Sequence, residues 1–193
     1  MAATVGGVLL AAGMGTRFAG GNKLLVELGG EPIVRRAART LLGASLGEVV
    51  AVLGHDAEAV ESALAGLDVA IRHNEDYADG QSSSVAVGVA AARERDWDAA
   101  LFALGDMPAV DSGTVETLLG AYRAGAGSVV APAHEGTRGN PVLFDSQHFD
   151  ALADVTGDRG GRDIVDAVGT LVAVDDPGVR EDIDRRCDLP DQP

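Results

Sequence analysis

Short apolar runs alternate with segments of helical period along this chain, and that alternation constrains its fold more than any other feature. Val5–Ala11, Glu48–Leu53, Val69–Arg72, Ala99–Leu104, Ser128–Pro132, Pro141–Phe144 and Leu171–Val174 read as strands, several of them stopped by glycine or proline. Between them lie helical patterns. One starts at Pro32 and runs to Leu42, and one that Asp56 could cap runs to Leu64. Others cover Ser82–Arg95, Asp111 or Ser112 to Tyr122, Asp150–Asp154 and Asp163–Val168. Residues 133–140 read as a polar connection. Runs apolar throughout, spaced by helices, predict a mostly parallel sheet covered on both faces.

At 193 residues the chain is most simply one domain, expected over residues 1–189 with a disordered tail at 190–193. A domain of this size buries roughly 70% of its unfolded surface and needs no disulfide to fold. The single cysteine, Cys187, cannot form an internal bridge, which suits the cytoplasm, and it is expected to be a packing residue, like Trp97. Val5–Ala12 is too short to span a bilayer and has no basic flank, so neither a signal peptide nor a membrane segment is expected. A net charge of −15 argues against nucleic acid and anionic membranes as partners. Asp outnumbers Glu two to one and aromatics are 4% of the chain. Such a surface suits a halophilic protein, whose self-repulsion salt would screen; a GC-rich genome favouring Asp, Ala, Gly and Arg codons is the other reading.

Fourteen of the fifteen Lys and Arg residues are arginines, and the sole lysine, Lys23, follows a glycine-rich turn. The segment Leu10-Ala11-Ala12-Gly13-Met14-Gly15-Thr16-Arg17, leading to Lys23-Leu24-Leu25, is a strand followed by a loop rich in free N–H groups, then two cations. That order suits a polyphosphate. It is no dinucleotide fingerprint, because Phe18 stands at the third glycine position and no acidic residue ends the second strand. It also lacks the Gly-Lys-Ser/Thr of a Walker loop. The four histidines are dispersed without metal-ligand spacing.

These residues resemble the signature of the nucleotidyltransferases that mature the molybdenum cofactor. The likeness continues in order along the chain. It includes Gly29-Gly30-Glu31-Pro32, Asn74 with Gly80-Gln81-Ser82-Ser83-Ser84, and Gly105-Asp106-Met107-Pro108. It goes on through Arg138-Gly139-Asn140-Pro141, Gly157 to Arg162, and Asp182-Ile183-Asp184. Leu-Ala-Ala-Gly at 10–13 resembles the cytidylyltransferase branch more than the guanylyltransferase branch, which has Leu-Ala-Gly-Gly.

The resemblance implies a Rossmann-like three-layer α/β/α domain with a mostly parallel mixed sheet. It also implies Mg²⁺-dependent transfer of CMP from CTP to the terminal phosphate of molybdopterin, with a molybdenum hydroxylase as a candidate recipient of the product. The backbone N–H groups of Ala12 to Gly15 would cradle the triphosphate, with Leu10 and Ala11 also on the nucleotide side, and Gly13 and Gly15 would adopt backbone geometries that a Cβ forbids. Arg17 and Lys23 would grip phosphate oxygens, and Asp106 would hold Mg²⁺ with Asp184 or its competitor Asp182. Arg17, Lys23 and Asp106 would be the catalytic residues. Gly80, Ser82, Ser83 and Ser84 would wall the base and ribose, with Asn74 orienting them; serine capping of a helix is the structural alternative. Gly139, Asn140, Pro141 and Arg162 would face the acceptor, with Arg138 and Arg159 weaker candidates. Guanylyl transfer, another phosphorylated acceptor and a non-catalytic cofactor carrier are the alternatives.

Overall fold

A computed structural model describes residues 3–15, 18, 21–157 and 161–189. The central strand β1 (Val5–Ala11) shows why a sheet forms with both faces covered. Val5, Leu9 and Ala11 point into one apolar layer and Val8 into the other, following the two-residue period of a strand. The chain continues through the short strands β2 (Glu27–Leu28) and β3 (Glu31–Pro32) into helix α1 (Ile33–Leu42). Strand β4 (Val49–Leu53), helix α2 (Ala57–Leu64), strand β5 (Ala70–His73), helix α3 (Gln81–Glu94) and strand β6 (Ala99–Leu104) follow. After helix α4 (Ser112–Arg123) come strands β7 (Val129–His134), β8 (Thr137–Arg138) and β9 (Val142–Asp145). Helices α5 (Phe149–Ala153) and α6 (Arg162–Val168) and strand β10 (Thr170–Ala173) complete the sheet.

The strand order is β10-β7-β9-β6-β1-β4-β5, with β8 paired to β7. β9 is antiparallel to both neighbours, and every other pairing along that path is parallel. The mixed, mostly parallel sheet and the three layers agree with the sequence reading. Side chains of α1, α2 and α4 pack on one face, and those of α3, α5 and α6 on the other. The chain leaves β1 toward β4 and β5, then crosses back to place β6 on the opposite side of β1. Such a reversal opens a crevice at the carboxyl ends of the two strands, where α/β proteins bind ligands. No described helix is long and apolar enough to cross a membrane.

Three local readings need correction. Gly29 and Gly30, which lead into the helix entry at Pro32, also form the two-residue turn of a β2–β3 hairpin that the strand reading left out, with φ of 63° and 80°. Left-handed geometry at both central positions is what a tight hairpin demands. The supposed polar connection contains β8, which folds back on β7 through the Ala133–Arg138 and His134–Thr137 pairs. Asp56 precedes α2 but makes no cap; it has φ 52°, and its carboxylate accepts from Asn22 Nδ2 at 3.3 Å instead.

Trp97 lies flat against Gly6 of β1. A Cβ at Gly6 would stand 2.2 Å from the indole ring, so only glycine admits the tryptophan there. Gly6→Ala must expel the ring or bend the central strand. Overpacking of this kind costs about 1–3 kcal/mol. Trp97 is the sole tryptophan. A urea titration followed by fluorescence therefore reads both effects: a lower midpoint and a red-shifted native emission.

Candidate active site

The crevice is built by two chain segments leaving adjacent strands. The Gly105 N–H donates to the Leu10 carbonyl at 2.9 Å, holding the exits of β1 and β6 together. Beyond β1 the loop turns at Gly15, whose φ of 56° favours glycine. Among the described residues, the N–H groups of Gly13, Met14 and Gly15 donate to no backbone carbonyl. They are available to an anion, as the polyphosphate reading requires. Gly13 serves differently than expected. Its φ is not left-handed, and a Cβ there would meet nothing within 4 Å. Its bareness keeps the loop surface open rather than permitting a special geometry. Arg17 and Arg159 lie outside the described residues, as does the tail from 190 to 193.

Lys23 is placed from both sides of its backbone. It begins a single 3₁₀ turn, Lys23–Leu25, whose first N–H groups are met by Asn22: its Oδ1 accepts from Leu24 N at 3.0 Å. Leu24 is buried in the core, which fixes the turn from below. The ammonium then reaches across the crevice, with Nζ 2.6 Å from Asp106 Oδ2 and 2.7 Å from Asp184 Oδ1. Burial alone would lower the lysine pKa. The opposing charge and hydrogen bond of Asp106, joined by those of Asp184, outweigh it and hold the pKa above the ordinary value. Lys23 is therefore charged at neutral pH.

The two carboxylates come from the middle of the chain and from its C-terminal segment. Asp106 follows β6, and the Ile183 N–H donates to the Asp106 carbonyl at 3.0 Å, tying the C-terminal segment to that strand exit. Asp188 accepts from the Asp184 N–H at 3.0 Å and from the Arg185 N–H at 2.6 Å, which sets the bend behind Asp184. Ile183 packs with Phe18 and Ile33, and the Arg186 guanidinium lies over the Phe18 ring at 5.8 Å. Phe18 thus joins the glycine loop to the carboxylate segment. Cys187, expected to pack, is exposed on the turn that ends this segment.

Asp182 joins the group: one oxygen each of Asp106, Asp182 and Asp184 lie within 4.8 Å of one another. The choice between Asp182 and Asp184 is thus not exclusive. Desolvation raises the Asp182 pKa, and the charges of Asp106 and Asp184 push it the same way. Three hard oxygen donors suit Mg²⁺ or Mn²⁺, which take one or two carboxylates and complete their shell with phosphate and water.

Two cavities meet here. The larger, of about 550 Å³, is lined by Ala12 to Gly15, Lys23, Tyr77, Gly80, Ser84, Asp106 and Asp184. The smaller, of about 230 Å³, has an apolar body around Phe102, Phe144 and Val165 and a polar rim of Arg138, Gly139, Asn140 and Arg162. Leu10, Gln81 and Leu104 belong to both walls. Of these three only Gln81 is polar, and sequence reasoning passed over it although it follows Gly80 in a segment already singled out. Tyr77 was missed because nothing in the sequence marks the turn that carries it.

The remaining candidates divide. Among the three serines, only Ser84 lines a cavity. Ser82 is buried in helix α3, and the Ser83 hydroxyl donates to the Gly80 carbonyl at 2.8 Å. No side chain caps α3, so serine capping does not occur either. Asn74 acts from behind the wall: it is buried, and its Nδ2 donates to Ser83 Oγ at 2.8 Å and Ser84 Oγ at 3.0 Å. Ala11 is core and reaches no cavity. Pro141 faces Met107 and Thr40 on the other side of the sheet, away from the acceptor-side cavity. Arg138 is engaged by Asp166 at 2.6 Å, whereas among the described residues Arg162 pairs with no carboxylate.

Comparison with known proteins agrees with the fold. The model of the MobA-like NTP transferase domain matches residues 7–178. The nicotine blue oxidoreductase of Paenarthrobacter nicotinovorans is 39% identical over 165 residues, 82% of this chain and 79% of that protein. Rv0371c from Mycobacterium tuberculosis H37Rv superposes with a TM-score of 0.85 at 25% identity, covering 97% of this chain and 96% of that one. Rv0371c has also been crystallised in complex with manganese. A nucleotidyl transferase from Methanothermobacter, Mth528, gives a TM-score of 0.82 at 25% identity, covering 96% and 94%.

Removing the ammonium should leave two carboxylates facing each other. Breaking a fully buried pair costs about 3–5 kcal/mol. The Asp184 side chain is 36% exposed, so we expect Lys23→Met to lose about 1–2 kcal/mol. Urea denaturation without divalent ions checks this, and adding Asp184→Asn to Lys23→Met should recover part of the loss.

Proposed function

Because the chain belongs to the MobA-like NTP transferase family, we propose that it transfers CMP from CTP to the terminal phosphate of a molybdopterin-type acceptor. The observation that carries this reading is the pair of joined cavities. One has a bare glycine loop, the sole lysine and the carboxylates of Asp106 and Asp184, with Asp182 close to both; the other has an apolar body with guanidinium groups at its rim. Nucleotidyl transfer needs that layout. An acceptor phosphate oxygen attacks the α-phosphorus, the bond from that phosphorus to the bridging oxygen breaks, and pyrophosphate leaves.

A phosphate monoester is largely dianionic at neutral pH, with a second pKa of about 6, and needs no base to become nucleophilic. Among the described residues, no histidine lines either cavity. The work is then electrostatic and positional. The loop N–H groups and Lys23 hold the triphosphate, and the Arg162 guanidinium, at the rim, holds the acceptor phosphate. Arg17, which follows Gly15 by two positions in the sequence, would add a second cation. Asp106 and Asp184, with Asp182 beside them, would hold Mg²⁺. A bound Mg²⁺ neutralises charge on the phosphate oxygens and the leaving pyrophosphate. CTP is favoured through Ala12, which lines the nucleotide cavity within the Leu-Ala-Ala-Gly motif. The single cysteine supports reading the reaction as cytoplasmic, and the net charge of −15 supports reading the surface as halophilic.

The relative named as an oxidoreductase favours a second reading, in which the same cavities hold a dinucleotide reductant and an oxidised acceptor. Two features oppose it. Strand β4 ends in Leu53-Gly54, without an acidic residue for a ribose. Hydride transfer itself requires no divalent ion, whereas a lysine within a carboxylate cluster suits metal-assisted chemistry on a triphosphate.

Pyrophosphate release in high-potassium buffer with Mg²⁺ and molybdenum-loaded molybdopterin tests the reading across CTP, GTP, UTP and ATP. We expect release with CTP. Release with GTP alone would reassign the base, and release only with a sugar phosphate would reassign the acceptor. Oxidation of NADH by a quinonoid dye with no pyrophosphate from any nucleotide would replace the transferase by the reductase. Lys23→Ala and Asp106→Ala should each lower kcat by about 10²–10³-fold, the scale for loss of one transition-state contact, in folded protein.

A further inference from the structure

The position a divalent ion would take between Asp106 and Asp184 is already occupied by a cation of the protein itself. Lys23 Nζ contacts both carboxylates, at 2.6 and 2.7 Å, inside the cluster that Asp182 completes. An ammonium and a divalent ion drawn to the same two carboxylates repel each other at short range, so each weakens the other's hold on them. Lys23 therefore competes with a metal for Asp106 and Asp184, and full metal binding favours its release. Its backbone has little freedom to move, since Asn22 and buried Leu24 hold the turn. Its side chain has four rotatable carbons, and Gly15 leaves that stem uncovered: a Cβ at Gly15 would come 3.5 Å from Lys23 Cγ. The direction of release is set by the cavity, which Lys23 shares with the loop N–H groups. An anion seated on that loop is the partner that can replace two carboxylates.

We propose that Lys23 is an internal counter-ion for the carboxylate cluster, and that the divalent ion enters as a metal–nucleoside triphosphate chelate rather than ahead of the nucleotide. The incoming phosphates draw Lys23 off Asp106 and Asp184 as the metal replaces it. One cation exchanges for another, and the lysine ends on the phosphates. Without nucleotide, Lys23 competes with the metal and keeps its affinity low. The inference rests on the nucleoside triphosphate part of the proposed function and is independent of the acceptor and of the base.

Linkage makes this measurable without turnover, since nucleotide and metal must raise each other's affinity by the same factor. Free Mn²⁺ can be followed by electron paramagnetic resonance, with the α,β-methylene analogue of CTP as a nucleotide that cannot react. In wild-type protein Mn²⁺ should bind weakly alone and about tenfold or more tightly with the analogue, within the usual range of such couplings. Lys23→Met should bind Mn²⁺ about tenfold more tightly than wild type without nucleotide, and gain less from the analogue. Lys23→Gln, which can still hydrogen-bond the carboxylates, should behave like Lys23→Met if the latter does not fold. Asp184→Asn should abolish the Mn²⁺ gain in each background. Equal Mn²⁺ affinity in wild type and the neutral variants, without nucleotide, overturns the proposal. Tighter Mn²⁺ binding by the neutral variants with no response to any nucleoside triphosphate supports the counter-ion role and instead overturns the nucleotidyl-transfer reading.

Discussion

The pairing of β1 with β6 is the constraint on which the site depends. The two strands run parallel from Val5–Ala99 to Leu10–Leu104, and helices cover both of their faces. Neither strand has a face on which a polar side chain would be tolerated, so functional groups can appear only where the strands end. The glycine loop leaves one strand and Asp106 leaves the other, and the bond from Gly105 to Leu10 fixes their separation. Gly88 adds to this by letting helix α3 close on Val8 and Phe102, where a Cβ would stand 2.7 and 2.9 Å away. That approach sets Gln81 and Ser84, on the first turn of the helix, at the crevice mouth.

The C-terminal segment depends on this frame more than it contributes to it. Among its described residues it holds no strand or α-helix after β10, only 3₁₀ turns. It is attached by the Ile183 N–H to Asp106, by the Asn140 N–H to the Val179 carbonyl at 2.8 Å, and by the small cluster of Ile183 with Phe18 and Ile33. Buried Asp176 bonds Asp111 N, Thr114 Oγ1 and Gly178 N, and so fastens the start of the segment to helix α4. A stretch held by a few such bonds opens at lower free energy than the sheet. It carries two of the three carboxylates, so the geometry of the carboxylate cluster follows the seating of Ile183 and Phe18.

Much of the architecture was legible because the strands are apolar throughout and the helices amphipathic; predicted and observed boundaries for β1, β6 and α1 agree to within a residue. The hairpin at 27–32 and the β7–β8 return were not legible. Two-residue strands carry too few side chains to show a period, and their pairing is decided by turn geometry at Gly29-Gly30 and by register. At the site, Lys23, Asp106 and Asp184 stood out as a lone lysine, a carboxylate at a strand exit and a near-terminal acidic pair. That Lys23 would bridge the other two was not legible, since they lie 83 and 161 positions away. The three serines illustrate the opposite failure. They share one motif, but helical geometry turns successive residues to different sides, so Ser84 reaches the cavity while Ser82 is buried and Ser83 is spent on Gly80.

The charge of the chain gives the cluster its sense. A protein of net charge −15 repels a triphosphate at long range, the more so in dilute salt. The site does little to reverse this in its resting state, because Lys23 is held by Asp106 and Asp184. With Asp182 ionised, three carboxylates against one ammonium leave two negative charges. A triphosphate arriving bare would meet an anionic wall, and a metal arriving bare would meet a resident cation. A chelate of the two meets neither obstacle, since its metal satisfies the carboxylates and its phosphates satisfy the lysine. Selectivity for the metal-bound nucleotide then follows from charge balance within one cluster. No extensive basic surface is required, and a chain that has kept a single lysine has no means of building one from lysine.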